Sequence, residues 1–430
     1  MNKTYQQYAK NELKTELESL RKKYKSYQNR ALQLNMSRGK PCPEQLNLSM
    51  DMMSVLSRGD DLHCEDGTDC RNYGVLGGIE EAKELLGAMI EVPADNILIF
   101  GNSSLNIMYD SISRSMTHGV MGNIPWSKLD CVKFLCPVPG YDRHFAITEY
   151  FGIQMVNVPL NEDGPDMDMV EHLVSTDPDV KGIWCVPKYS NPTGITYSEE
   201  TVQRFARLKP AARDFRIYWD NAYSVQHLYE DKQDYLIEIL GECKRAGNPD
   251  LVYKFTSTSK ISFPGSGIAA IAASLNNLQD IRKQMAVQTI GHDKVNQLRH
   301  VRFFKDLDGI TQHMKKHMEI LRPKFELVES IFEEDLAGLG AGTWTKPRGG
   351  YFISFDAVPG CARNIVSRCK KAGVDLTPAG ATYPYGNDPN DSNIRIAPSY
   401  PSMHDLETAA RILTLSVRIE TIKSILQPMI

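Results

Sequence analysis

Between about residues 95 and 275 the sequence repeats one pattern: a short apolar run, then helix-compatible or turn-rich text, then another apolar run. The runs fall at 97–100, 132–135, 155–158, 183–186, 217–219, 251–255 and 268–273. Short stretches that stay apolar on consecutive residues suit strands buried on both faces. Strands alternating with helices imply a largely parallel sheet covered by helices, an α/β architecture. In such sheets ligands bind beyond the carboxyl ends of the strands, so the places where each run ends are where chemistry is expected.

The flanking segments read differently. Residues 5–30 carry Leu13, Leu17, Leu20, Tyr24 and Tyr27 at the spacing of one helical face. A breaker-rich loop, Ser37-Arg38-Gly39-Lys40-Pro41-Cys42-Pro43, follows, and helical text resumes near 75–90. After about 300 come a long helical stretch, Gly- and Pro-rich loops, short strands such as 351–355, and a closing helix over 403–424. The expected organisation is a large α/β domain over 51–305 and a smaller α+β domain over 306–430, with residues 1–50 packing against the latter.

Composition narrows the function. Of 430 residues, 42% are hydrophobic and 24% charged, as in soluble globular proteins, and the formal charge of −4 gives no reason to expect nucleic acid or an anionic membrane as partner. No run approaches the roughly 18 apolar residues of a membrane span, and the polar start does not read as a signal peptide. Nine cysteines with no CxxC pair suggest reduced thiols in a cytoplasmic protein. His63, Cys64, Glu65, Asp66, Asp69 and Cys70 include metal-ligand types, but the paired short spacings of a structural metal site are missing, and a solvated loop is expected there.

Four segments at predicted strand ends could carry chemistry. Phe100-Gly101-Asn102-Ser103-Ser104 leads from a strand into a helix, whose free N–H groups suit a phosphate; ordinary helix capping is the plainer reading. Tyr189-Ser190-Asn191-Pro192-Thr193-Gly194 is a tight turn that would hold Asn191 at the ligand edge, or simply a turn. Tyr218-Trp219-Asp220-Asn221-Ala222-Tyr223 ends an apolar strand in an acid. A carboxylate buried there needs a cationic partner, which a protonated pyridine supplies. In Thr256-Ser257-Thr258-Ser259-Lys260-Ile261-Ser262-Phe263-Pro264-Gly265-Ser266-Gly267 a lysine stands between hydroxyl-rich and Gly/Pro-rich text, unlike an ordinary surface helix.

In this order the segments resemble fold type I pyridoxal-phosphate (PLP) enzymes, specifically class I/II aminotransferases, over nearly the whole chain. Pro139-Gly140-Tyr141 resembles the segment whose aromatic ring stacks on the pyridine. Arg395-Ile396-Ala397-Pro398-Ser399 resembles the one whose arginine holds the substrate α-carboxylate. Tyr73, in Asn72-Tyr73-Gly74-Val75-Leu76-Gly77-Gly78, resembles a tyrosine that reaches the cofactor phosphate across a dimer interface. The strings at 37–41, 186–194, 258–261 and 293–300 are similar to the bacterial aspartate aminotransferase subgroup Ic.

The resemblance implies a large domain with a mostly parallel seven-stranded sheet, a smaller α+β domain, and a homodimer with shared active sites. It implies PLP bound to Lys260 as a Schiff base, with the freed Lys260 amine as general base. Asp220 would keep the pyridine protonated, Asn191 and Tyr223 would bond the ring's phenolic oxygen, and Tyr141 would stack on its face. Ser103, Ser104, Ser257 and Tyr73 would hold the phosphate. Gly39, Asn191 and Arg395 would contact the substrate, Arg395 bidentately. The implied reaction exchanges the amino group of aspartate or glutamate with 2-oxoglutarate; the same scaffold also hosts β-lyases, decarboxylases and PLP-sensing regulators.

One departure stands out. Most members of the family it resembles carry an arginine about eight residues after the lysine, against the phosphate; here that position is Ile268. Weaker cofactor retention is the expected result. The resemblance implies that a basic group for a distal substrate carboxylate comes from the partner subunit; Lys294 and Arg299 are candidates by position, and Arg38 is another from the same chain.

Overall fold

The computed structural model describes residues 3–427. Helix α1 (Lys10–Gln28) buries Leu13, Leu17, Leu20 and Tyr24, the stripe expected from the sequence. A two-residue strand, β1 (Leu34–Asn35), precedes α2 (Pro43–Asn47) and α3 (Glu80–Ile90).

The central sheet then forms from β2 (Ile97–Phe100), β3 (Lys133–Val138), β4 (Gln154–Asn161), β5 (Gly164–Pro165), β6 (Val180–Cys185), β7 (Arg216–Asp220), β8 (Val252–Ser257) and β9 (Ala269–Ala272). Their order across the sheet is β2-β9-β8-β7-β6-β3-β4-β5. All seven apolar runs are strands. The expected count of seven is nonetheless one short: Gly164–Pro165 folds back antiparallel on the end of β4 as a two-residue edge strand, with no apolar run to announce it. The pairings β8·β7, β7·β6, β6·β3 and β3·β4 are parallel, whereas β9 runs antiparallel to both neighbours. β2 therefore points the same way as β8, and Phe100, Val138, Cys185, Asp220 and Ser257 all end at one edge.

Successive side chains explain why the runs are apolar throughout. Phe134, Cys136 and Tyr218 join one hydrophobic cluster, while Leu135, Ile217 and Trp219 join another on the opposite face. Between and after the strands come α4 (Ser104–His118), α5 (Asp142–Tyr150), α6 (Met167–Thr176), α7 (Glu199–Ala206), α8 (Ile239–Arg245) and α9 (Leu275–Gln288).

Beyond them lie α10 (Lys294–Phe304) and the long α11 (Leu307–Leu336). An antiparallel three-stranded sheet is built from β10 (Gly342–Trp344), β11 (Ile353–Ala357) and β13 (Asn393–Ile396), with α12 (Ala362–Lys371) and β12 (Val374–Asp375) inserted, and α13 (Met403–Leu426) closes the fold. A separate hydrophobic core joins this sheet and its helices to α1. β1 pairs in parallel with β12, Leu34 opposite Val374, so the start of the chain is stitched to its final third. Among the described residues no helix is long and apolar enough to cross a membrane.

Candidate active site

Above the common strand edge lies a cavity of about 880 Å³, lined by Lys260, Tyr141, Asn191, Tyr223, Gly39 and Arg395, with Arg38 and Arg143 also on its walls. Residues from six separate stretches of the chain thus converge, among them the strand-end residues Asn191, Tyr223 and Lys260. Gly39 has a packing reason to be glycine: a Cβ there would lie 2.5 Å from the Phe352 ring.

Asp220, the last residue of β7, is only 4% exposed. Its Oδ2 accepts a hydrogen bond from His144 Nε2 at 3.0 Å. A carboxylate can only accept, so this bond places a proton on that ring nitrogen. His144 is itself buried, stacked on Trp184 with centroids 4.5 Å apart, and the Tyr141 ring stands edge-on to it at 4.8 Å. Asp220 Oδ1 is buried with no hydrogen-bond partner among the described residues. A buried carboxylate oxygen left bare is costly, and a protonated ring nitrogen is a partner of the right charge.

Lys260 follows the end of β8. Burial draws its amine below the usual lysine range, and the negative charge of Asp220 opposes that shift. Its Nζ lies 5.6 Å from the centre of the Tyr351 ring, which also faces Tyr223. Burial raises both phenols that line the cavity: Tyr141 is pushed up to about 12, and Tyr223 well above the ordinary tyrosine value. Both remain neutral donors at physiological pH.

Ser103 stands at the N-cap of α4 and makes no side-chain capping bond. That removes the plain capping reading for its hydroxyl and leaves it free for another acceptor beside the first N–H groups of the helix. Ser104 and Ser257 are buried nearby in sequence to two loops that are tied together: Ser257 Oγ bonds Ser259 Oγ at 3.1 Å, and Ser259 Oγ donates to the Asn102 carbonyl at 3.1 Å. Gly267 closes this junction, since a Cβ there would lie 2.7 Å from Thr258 Oγ1. The hydroxyl-rich, helix-terminal character of the junction fits a phosphate.

Arg395, on β13, is 6% exposed. Its Nη1 donates to Asp142 Oδ1 at 2.6 Å and lies 3.4 Å from Asn191 Oδ1, and its Nη2 reaches Thr377 Oγ1 at 3.3 Å. The Phe352 ring covers the guanidinium, 4.9 Å from its carbon. His144, Asp142, Arg143, Thr377, Tyr351 and Phe352 were not singled out in the sequence. Asp142, Arg143 and His144 directly follow Tyr141, and that adjacency is the one signal that could have found them.

The remaining residues named from the sequence lie outside the cavity or on its wall. Lys294 is 4% exposed, its Nζ donates to the carbonyls of Asn72 at 2.6 Å and Gly74 at 3.0 Å, and it lines a depression away from the cavity. Arg299 is turned to the loop after Lys260, donating to Ser266 Oγ at 2.8 Å. Of the three cations considered for a distal carboxylate, only Arg38 lines the cavity. Ile268 is buried in an apolar cluster with Ile97 and Ile99 and cannot neutralise a phosphate. Tyr73 is 82% exposed and belongs to a separate depression with Asn72, Gly74 and His292, so within one chain it does not join the site. In the cysteine loop the Cys64 and Cys70 thiols face each other at 3.2 Å and Asp69 pairs with Arg71.

The chain is similar over nearly its whole length to known aminotransferases. Residues 8–428 match the family described as aspartate amino-transferase. An aspartate aminotransferase of Corynebacterium glutamicum is 45% identical over 393 residues, covering 91% of this chain and 90% of that protein. The crystal structure of an aspartate transaminase from the same organism superposes with a TM-score of 0.95 at 42% identity, covering 98% of this chain and 99% of that one. The fold extends to an α-aminoadipate aminotransferase of Thermus thermophilus, solved with N-(5'-phosphopyridoxyl)-L-leucine, at a TM-score of 0.72 and 18% identity over 91% of this chain and 93% of that one. A fold type I aminotransferase is the class that sheet and site define. The chain belongs to the aspartate aminotransferase family within it.

Proposed function

We propose that this aminotransferase holds PLP covalently on Lys260 and exchanges the amino group between an amino acid and a 2-oxo acid, with L-aspartate donating to 2-oxoglutarate and L-glutamate donating in the reverse direction. The observation that carries the reading is the bare Oδ1 of Asp220, buried at the strand edge next to Lys260. When bound, the cofactor supplies an electrophilic carbon for the substrate amine and a pyridinium ring that accepts electrons. Asp220 would hold the proton on the ring nitrogen, with His144 fixing the carboxylate from behind. Lys260 Nζ, kept neutral more readily by its burial, would move the proton from the substrate Cα. Asn191 and Tyr223 would donate to the phenolic oxygen, and Tyr141 would cover the ring face. Ser103, Ser104, Ser257 and the α4 N–H groups would hold the phosphate.

Arg395 would bind the α-carboxylate, oriented by Asn191 and Thr377. Arg38 and Arg143 would meet a distal carboxylate at the cavity wall. We assign Gly39 to the substrate wall, and residues 51–305 and 306–430 to the large and small domains, with 1–50 joined to the latter; the β1·β12 pairing supports that division. The exposed Tyr73 supports a homodimer in which it completes the partner's phosphate site. The free cysteines fit a cytoplasmic setting.

The test is direct. Borohydride reduction of the purified enzyme should fix a phosphopyridoxyl group on the peptide containing Lys260, and aspartate should discharge the visible absorbance that 2-oxoglutarate restores. Label on another lysine, or release of pyruvate with ammonia or carbon dioxide instead of 2-oxo acid exchange, refutes the proposal.

A further inference from the structure

Asp142 also lines the cavity and has no task in that chemistry. Asp142 is the first residue of α5, where a carboxylate ordinarily favours the helix N–H groups. Its Oδ1 instead takes Nη1 of Arg395 at 2.6 Å. The other groups around the guanidinium, Asn191, Thr377 and Phe352, are uncharged. Asp142 is therefore the only carboxylate paired with Arg395 among the described residues. A substrate α-carboxylate bound through two parallel N–H bonds needs that same terminal nitrogen.

We propose that Asp142 competes with the substrate α-carboxylate for Arg395, so that substrate binding is an exchange of one carboxylate for another, and Asp142 sets the site's affinity and selectivity for acids. The proposal rests on the assignment of Arg395 as the α-carboxylate site. Three features carry it. Arg395 is nearly fully buried, and a buried guanidinium without a counter-charge is costly, so an internal carboxylate stabilises it. Asp142 is 31% exposed at its side chain, so once displaced it reaches water rather than an apolar pocket. Arg143, the next residue, lines the same cavity and offers the displaced carboxylate a nearby cation. The exchange discriminates: an amine without a carboxylate leaves the internal pair intact and draws nothing from Arg395, whereas an amino acid must outcompete it.

The experiment uses full-length, cofactor-loaded enzyme and maleate, an unreactive dicarboxylate, titrated by calorimetry, with steady-state KM and kcat for aspartate alongside. D142N keeps the shape and removes the competing charge. Maleate should bind at least about tenfold more tightly, the worth of one charge-assisted hydrogen bond, KM should fall in parallel, and kcat should not rise. D142E, which restores the charge, should return both constants toward the wild type. Unchanged or weaker maleate binding in D142N, while R395Q abolishes binding, overturns the competition and makes Asp142 a positioning residue. Maleate bound by R395Q as tightly as by the wild type overturns the assignment of Arg395 and this proposal with it.

Discussion

Replacing Asp220 with Asn removes one charge and almost no volume. The residue is 4% exposed, so its charge acts where water is largely excluded. A charged ring nitrogen bonded to Oδ1 would stand about 3 Å away. At an effective dielectric constant of ~20 that pair is worth roughly 5 kcal/mol. Deleting one partner of a buried pair costs ~3–5 kcal/mol by mutational experience. At ~1.4 kcal/mol per decade of rate, turnover should fall by about two to four decades. The amide oxygen still accepts from His144 Nε2, so the fold should survive and the melting temperature should stay near that of the wild type. The assay is aspartate–2-oxoglutarate exchange with excess PLP, bound cofactor being quantified by absorbance in the same sample. A D220N enzyme that holds its cofactor and turns over within about tenfold of the wild type would refute the reasoning, because the ring would then need no charge from this acid.

Lys294→Met should cost ~2–3 kcal/mol in denaturant unfolding, because the Asn72 and Gly74 carbonyls lose their buried donor, while the aspartate-over-alanine preference stays as in the wild type. A changed preference would restore Lys294 as a substrate contact. Burial holds His317 down to about 3 and His227 and His300 down to about 4, so all three are neutral in the fold while the unfolded chain takes up protons below the ordinary histidine value. Stability is therefore fully present above about pH 6.5 and is lost as the pH falls toward the folded values, by ~1.3 kcal/mol per histidine between pH 7 and 5.5. Denaturant titrations at the two pH values should show the loss, and H317Q should reduce it by about one histidine's share; an identical loss in H317Q would exclude the linkage. With Ile268 where relatives place an arginine, repeated dialysis against phosphate buffer should strip the cofactor, and full retention would show another cation doing that work.

The sheet was legible because its strands are buried on both faces, and consecutive apolar residues such as Phe134-Leu135-Cys136 advertise that directly. Edge strand Gly164–Pro165 is buried but pairs through only two residues, neither of them typical of a strand, so nothing in its composition marks it. Lys260, Asp220 and Asn191 were legible because each stands where a strand stops and a constrained loop begins. Contacts set only by tertiary folding were not. Asp142 meets Arg395 across a separation of 253 positions, and Lys294 finds two carbonyls more than 200 positions upstream. A chain position says that a cation is near; it does not say whether backbone oxygens will have claimed it first.

The stitching of β1 to β12 has a consequence for how the molecule is made. Three further bonds extend that seam past the pocket: Ala397 N to the Met36 carbonyl, Thr377 Oγ1 to Ser37 and Ser399 Oγ to Lys40. The strip at residues 34–40 must therefore wait, unpartnered, until residues 374–399 have left the ribosome. Trimming the amino end, or fusing a bulky tag to it, endangers a strip of the chamber itself rather than a dispensable overhang.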